Sequence, residues 1–420
     1  MRKFIRFILF IAVLSAFVGC HSFRADSARL QRQLNERIAY AQEQTAELSA
    51  LLVRHAPMDS IRLVAEADRH LLFYVFNSQQ MVYWSNNWLS TDEVLLHRYD
   101  KWQYMLFKNA HTVASWTKAG AYNILTVIPI RYEYPLETRM LHNGFVEGFD
   151  VSDRRGISNI KNNDRIPICS PAGDYLFSLT PHKPLADNTS GYTLASQSFS
   201  FRALLESEEN MSVPFWQSHS LRVRLYFILC IFFFAILIVI GIVGFIRTKG
   251  IRNMRLSTRI MYVMLMCVLG VFIYLFVMSI RYVRTNYEDR QKNDLLIRSE
   301  YIQSYLRSLY YWDVTLTPAH ANGLEIDLHD LGYDLSQDVH VYSLSGELIA
   351  SSSPELFKSG VLSRRMAPNA IFSQMNTAVY GEYLADRPYL VSYVPFYNGA
   401  FVPIGYIATP YFISEYALNE

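Results

Sequence analysis

Two apolar runs lie back to back near the middle of this 420-residue chain, Leu225–Ile246 and Ile260–Ile280, and no other feature narrows its folding options as far. The link between them, Arg247–Arg259, carries five cations (Arg247, Lys249, Arg252, Arg255 and Arg259) and no acid. A helix of about 21 residues rises about 30 Å, enough to cross a bilayer core. Lys and Arg in short loops are retained in the cytoplasm during insertion. The expectation is a hairpin of two spans, 225–246 and 260–280, around a cytoplasmic loop at 247–259. The flanking blocks, Cys20–Arg224 and Arg281–Glu420, then lie on the far side.

A third apolar stretch, Phe4–Gly19, follows Arg2 and Lys3. At about 16 residues it is short for a span and the right length for a signal core. Three readings fit. The favoured one is an uncleaved signal anchor over residues 1–20. The others are a cleaved signal peptide and a lipoprotein signal lipidated at Cys20. Gly19 before Cys20 suits lipidation, although Phe17 stands where a Leu is usual. All three place the first block outside. The chain is therefore expected in the inner membrane as a multi-pass protein, in contact with lipid, with both folded blocks facing the periplasm or exterior.

At 51% hydrophobic the chain is more apolar than two ordinary folded blocks need, and the three runs account for the excess. A net charge of +2 argues against a nucleic-acid partner. Of the four cysteines, Cys20, Cys169, Cys230 and Cys267, only Cys169 lies within a folded block, so no intradomain disulfide pair exists. The eleven histidines show no H-x-H, H-x3-H or comparable ligand spacing, so no metal or cofactor is expected.

The two outer blocks resemble each other. A shift of 266 residues lays Phe76–Ser85 on Tyr342–Ser351 and Ile124–Ile130 on Leu390–Phe396, with Pro129 on Pro395. In each block a polar helical stretch precedes the strands. In Asp26–His55, Leu30, Leu34, Ile38, Ala41, Ala46 and Leu51 recur at helical steps; in Arg281–Tyr310, Leu295, Leu296, Ser299, Ile302, Tyr305, Leu306 and Leu309 do so. The second stretch is expected to continue the 260–280 helix without a break. Hairpin signals follow at Ser345-Gly346 and Asn398-Gly399. In the first block, Ile166–Ser170 and Tyr175–Leu179 flank a Pro-Ala-Gly-Asp turn. The expected fold class is an α+β membrane protein with two antiparallel-sheet domains on long stalk helices, plus three transmembrane helices. Its parts are stalk 26–55, outer domain 60–220, stalk 281–312 and outer domain 313–420.

With the sheet and stalk pattern in place, the chain resembles bacterial Cache-type, PAS-like sensor domains. Val82-Tyr-Trp-Ser-Asn86, Ser392-Tyr-Val-Pro-Phe-Tyr-Asn398 and Pro403-Ile-Gly-Tyr-Ile407 are similar to the extracytoplasmic half of large sensor histidine kinases of Bacteroidetes. The resemblance implies a signal-input module of a two-component system, with a small extracytoplasmic ligand and a kinase or response-regulator partner. Paired stalk helices are compatible with a homodimer. The chain departs from that family in having no phosphoacceptor-His motif, no Asp-x-Gly-x-Gly and no G-x4-G-K-[ST], so no catalytic residue is expected of it.

Aromatics make up 15% of the chain. Tyr310, Tyr311 and Trp312, with Tyr393, are the candidate ligand-binding residues, read as walls of a pocket between sheet and helix. Ordinary core packing is the competing reading. Arg364, Arg365 and Arg387 could clamp a carboxylate, against a reading as solvated surface charge. His340, in phase with Tyr342, reads as a satisfied strand histidine rather than a base. A structural or adhesion lipoprotein anchored through Cys20 is the alternative function, and an extracytoplasmic hydrolase is a third.

Overall fold

The structure, a computed structural model, describes residues 2–78, 80–90, 100–134, 141, 143–162, 165–181, 292–313, 315–316, 320–372, 378–384 and 387–411, with single helical positions between 260 and 281. The chain divides into two compact units, Met1–Arg202 with Arg298–Phe412, and Ala203–Ile297 with Ile413–Glu420.

The first unit opens with α1 (Arg2–Val53) and α2 (Met58–Ala65). Strands β1 (Leu72–Asn77), β2 (Gln80–Trp84), β3 (Gln103–Phe107), β4 (Ala110–Ala119) and β5 (Tyr122–Tyr132) then form an antiparallel sheet in the order β2-β1-β5-β4-β3. A small sheet of β6 (Gly156–Ser158), β7 (Ile166–Cys169) and β8 (Tyr175–Thr180) has the order β6-β8-β7, with Gly173 at a φ of 87° in the β7–β8 turn. Later in the chain come α3 (residues 292–309, entering this unit at Arg298), α4 (Ala321–Leu335), β9 (His340–Tyr342) and β10 (Leu348–Ser351). They are followed by α5 (Glu355–Lys358), α6 (Pro368–Ile371), β11 (Ala378–Leu384), β12 (Arg387–Tyr397) and β13 (Pro403–Tyr411). The second large sheet runs β10-β9-β13-β12-β11, so its strands match those of the first one for one.

The same physics builds both halves. On α1 the buried stripe is Leu30, Leu34, Ile38, Ala41, Thr45, Leu48 and Leu52, laid against β4 and β5. Thr45 sits at a core position and shares a 2.8 Å hydroxyl–hydroxyl bond with Thr126 of β5. On α3, Ser299, Ile302 and Leu306 repeat the spacing of Thr45, Leu48 and Leu52, and Ser299 meets Thr409 of β13 at 2.6 Å. Each hydroxyl is satisfied where it is buried, which a helix–sheet interface requires. These threonines explain a register error in the sequence reading. With a polar residue at the core position, Ala46 and Leu51 looked like the continuation of the stripe, but Ala46 is exposed and Leu52 is the buried leucine.

A shift of 266 residues is correct for β1 on β9 and wrong beyond it. Tyr74 pairs with Leu125, and its counterpart His340 pairs with Ala408, so β5 corresponds to β13 at a shift of 283. Ile124–Ile130 had been laid on β12 instead. Both segments are runs of β-branched and aromatic residues, and such runs match under several shifts. Pro129 and Pro395 are therefore not equivalent. Pro129 lies where the β4–β5 register skips a residue, from Thr112↔Pro129 to His111↔Arg131. Pro395 lies beyond the end of the β11 ladder at Tyr393, and its carbonyl accepts from Gln303 Nε2 at 2.5 Å. Neither position needs an N–H donor.

The three-span architecture is corrected by the structure. Among the described residues no helix is long and apolar enough to cross a membrane. With it fall the multi-pass placement in the inner membrane and the outward orientation of both blocks. Phe4–Gly19 does not stand apart as a span but opens the 52-residue helix α1, which runs on through Arg24, Arg29 and Arg37. The run 225–246 and loop 247–259 lie outside the described residues, as do most of 260–280 and the 282–291 junction of the expected continuous helix. Much of the apolar content serves a different purpose: the central strands are buried on both faces. β5 is buried without interruption from Ile124 to Tyr132, and β13 from Ile404 to Pro410. Two-sided burial makes a strand read as a continuous apolar run rather than an alternating one.

In the second unit, the described positions Ile260, Met264, Val271, Tyr274 and Met278 are helical and exposed.

Candidate functional site

The second large sheet has two unlike faces. Val341, Ile407, Val394 and Phe396 belong to the core with Ile302 and Leu306 of α3 and Leu324 and Leu328 of α4. Alternation sends the neighbouring side chains to the opposite face. Cross-strand partners place Tyr342, Tyr406 and Ala408 there beside Tyr393, with Tyr389 opposite Glu382 and Val391 opposite Tyr380. Five tyrosines and one carboxylate therefore share this surface. The rings of Tyr342 and Tyr380 lie 6.3 Å and 5.9 Å from that of Tyr393.

The first half of the unit covers this face, and Trp84 locks the two halves together. Its indole is 2% exposed and donates from Nε1 to the Met366 carbonyl at 2.8 Å. Phe372 packs against the ring at 5.6 Å, and the Arg365 guanidinium lies 5.5 Å from its centroid. Gly346, at a φ of 73°, sits so close that an added Cβ would come within 3.1 Å of the indole. Arg62 of α2 also reaches Asn369 of α6.

Glu382 lies at the centre of the joint. It is buried, and three donors converge on its carboxylate: Tyr393 Oη at 2.5 Å, Tyr389 Oη at 2.8 Å and Asn87 Nδ2 at 2.9 Å. Burial raises its pKa above the ordinary carboxylate value, against the lowering effect of those three bonds. Burial likewise pushes up the Tyr342, Tyr389 and Tyr393 phenols, so they stay protonated at neutral pH and can donate. His340, 2% exposed, bonds Ser351 Oγ through Nδ1 at 2.8 Å, while its buried Nε2 has no hydrogen-bond partner. Burial pulls the imidazole down to about 4, so it is neutral at pH 7.

Two spaces adjoin this carboxylate. An inner cavity of about 30 Å³ is lined by His340, Tyr342, Tyr389, Tyr393 and Glu382, with Asn87 and Trp88 from the first half. It has room for one or two waters. An outer cleft of about 260 Å³ is bounded by Glu66, Asp68 and Arg69, by Asn86, Asn87 and Trp88, by Asn369, and by Tyr380 and Glu382. Asn87, Trp88 and Glu382 line both, so the Asn87–Glu382 bond forms part of the partition. Arg69, the one cation lining the cleft among the described residues, is engaged with Glu147 and holds that carboxylate below its usual pKa.

Of the residues singled out in the sequence, Tyr393 belongs to this site. Tyr310, Tyr311 and Trp312 line neither space. Tyr310 donates to Asp327 Oδ2 at 2.6 Å and packs edge-on to Phe396. Tyr311 accepts the Gly399 N–H through its carbonyl at 2.9 Å, packing beneath the β12–β13 turn, and Trp312 is 88% exposed. Arg364 is exposed, and Arg365 pairs with Glu347 at 3.8 Å; neither forms a clamp. The side chains of Arg387 and of Cys20, which lies in α1, are outside the described residues. His340 is only half satisfied, contrary to the expectation of a fully bonded strand histidine. Glu382 and Asn87 went unrecognised. The available signal was a lone acid in the apolar segment Val379-Tyr-Gly-Glu-Tyr-Leu384.

Elsewhere, Tyr104 Oη, His111 and Glu133 form a bonded chain, 2.6 Å at each link. Burial pushes the Tyr104 phenol up, and no serine hydroxyl or cysteine thiol is bonded to His111 among the described residues, so this chain lacks a nucleophile. No family model matches the chain, and no curated protein or solved structure matches it.

Proposed function

We propose that this chain is a small-molecule-binding input module whose ligand sits in the cleft beside Glu382, and that it acts by binding rather than by catalysis. The observation that carries this reading is the cleft of about 260 Å³, with amide, carboxylate and aromatic groups converging from both halves of the unit. Its volume falls just under the roughly 300–1,000 Å³ of drug-sized sites, which suits a small metabolite. The resemblance to sensor-kinase input domains supports the same role. Because the cleft is lined by residues 85–88 of the first half and by 367–369 and 380–382 of the second, a ligand held between them favours one relative pose of the two halves. Only a ligand with unequal affinity for two poses can pass on a signal.

The test is a thermal-shift screen of the full chain against amines, organic acids, amino acids and polyols. A ligand at 100 times its dissociation constant adds about 2.7 kcal/mol, so a true ligand gives a saturable rise in Tm. A screen with no saturable stabiliser contradicts the proposal.

A further inference from the structure

The chemistry around Glu382 narrows the ligand class, an inference that rests on the binding role proposed above. The partners of this carboxylate are two phenols and one amide; among the described residues no cation faces it. A buried carboxylate is costly unless a positive charge accompanies it. Here the cleft beside it is lined by three acids, Glu66, Asp68 and Glu382, against Arg69, which is already engaged with Glu147. Glu66 is bonded to Arg62 and Asp68 accepts the His70 N–H, so Glu382 is the acid of the three with no cation or main-chain amide bonded to it.

A second, independent observation comes from the inner cavity. His340 Nε2 is buried there without a partner. In the tautomer whose Nδ1–H donates to Ser351 Oγ, Nε2 keeps an unused acceptor lone pair on a residue that lines the cavity. A neutral imidazole nitrogen, a carboxylate and tyrosine rings, all among the groups that attract a cation, line this cavity. At about 30 Å³ the cavity admits a group of one or two non-hydrogen atoms, and the cleft of about 260 Å³ beyond Glu382 leaves room for an attached body.

We propose that the site binds a small primary amine as its ammonium ion, the –NH3+ group entering the inner cavity against Glu382 and His340 and the rest of the molecule lying in the cleft between Trp88 and Tyr380. Entry displaces the Asn87 amide from Glu382, which couples occupancy to the joint between the two halves. A quaternary ammonium is too bulky for the inner cavity and is excluded.

Calorimetric titration of the full chain with n-propylammonium, tetramethylammonium, propionate and propane-1,2-diol tests this. We expect saturable binding of n-propylammonium, at least tenfold tighter than that of any of the other three probes. In Glu382→Gln, which keeps shape and hydrogen bonding but removes the charge, its affinity falls at least tenfold. The comparison of probes uses the unaltered chain and needs no variant to fold. Binding of propionate or the diol without n-propylammonium overturns the amine assignment and leaves the cleft as a binding site. Binding of tetramethylammonium as tight as that of n-propylammonium, or an affinity unchanged in a folded Glu382→Gln, overturns it as well. Absence of binding by every probe, together with an empty thermal-shift screen, overturns both the amine and the cleft.

Discussion

Removing the Trp84 indole should uncouple the two halves that wall the site. Trp84 is 2% exposed, belongs to the edge strand β2 and makes a buried hydrogen bond to the Met366 carbonyl, 282 residues away in sequence. Truncating a buried aromatic to alanine costs about 3–5 kcal/mol, the lost transfer energy plus the cavity left behind. The Met366 carbonyl loses its donor, worth a further 1–3 kcal/mol or so where water cannot replace it. Trp84→Ala is therefore expected to lose about 4–8 kcal/mol, and Trp84→Phe, which keeps a ring against Phe372 but not the N–H, about 1–3 kcal/mol. Urea unfolding of the full chain, followed by far-ultraviolet circular dichroism, measures both. Ligand affinity in the cleft should fall along with stability in the alanine variant, because residues 85–88 follow Trp84 directly. A loss below about 1 kcal/mol for Trp84→Ala, within the range of ordinary surface substitutions and small effects, would refute the claim that this residue locks the joint. Equal losses in the two variants, both of which lose the N–H donor, would assign the whole effect to the hydrogen bond and refute the part given to the packing of the ring.

Three other outcomes follow from the same structure. Double-mutant cycles on Thr45–Thr126 and Ser299–Thr409, each pair replaced by valine or alanine, should give coupling energies of about 0.5–1.5 kcal/mol that agree between the two pairs; coupling in one pair alone would contradict the matched helix–sheet contacts. His340 is held down at about 4, so the stability it contributes is present above the unfolded value near 6.5 and is lost as pH falls through about 4. The unfolding free energy should drop over that window by up to about 3 kcal/mol and drop less in His340→Asn; equal slopes would show that the histidine is not buried as described. Glu382 has the opposite sign. Its raised folded pKa gives stability that is full below about pH 4 and lost as pH rises through the folded value. The stability of Glu382→Gln relative to the parent should therefore increase between pH 4 and pH 7, and a flat difference would remove the burial cost from the account.

Much of the fold was readable where local chemistry decides it. A hairpin forms at Asn398-Gly399, but as a loop over residues 398–402 rather than a two-residue turn: Tyr397 pairs with Pro403, the left-handed residue is Phe401 at a φ of 58°, and Asn398 Oδ1 accepts the N–H groups of Ala400 and Val402 at 3.0 Å and 2.9 Å. Ser345-Gly346 and the Pro171–Asp174 turn likewise mark real strand junctions. Reading failed where one residue type served two environments. The membrane reading rested on the apolar runs 4–19, 225–246 and 260–280, yet the first of these opens the 52-residue helix α1, and among the described residues no helix is long and apolar enough to cross a membrane. Thr45 and Ser299 hid the helix stripe because a hydroxyl at a core position looks like a surface residue until its partner across the sheet is seen. β11 was overlooked entirely. Gly381 and Glu382 both have low strand propensity, and their pairing with Leu390 and Tyr389 comes from the hairpin with β12. The site was lost with that strand. Tyr393 was found through aromatic density, but density marks core and pocket alike, and Tyr310–Trp312 belong to the helix end and the β12–β13 turn.

The central claim is that the space beside Glu382 is where this chain takes its ligand. A crystal structure of the full chain grown with saturating n-propylammonium tests it most directly. Density for the amine is expected with its body in the cleft and its nitrogen in the inner cavity within about 3 Å of a Glu382 carboxylate oxygen, the spacing of a charge-assisted hydrogen bond, and with Asn87 turned away from its present bond. A cleft left empty with the Asn87–Glu382 bond intact, or an amine bound at some other surface, would contradict it.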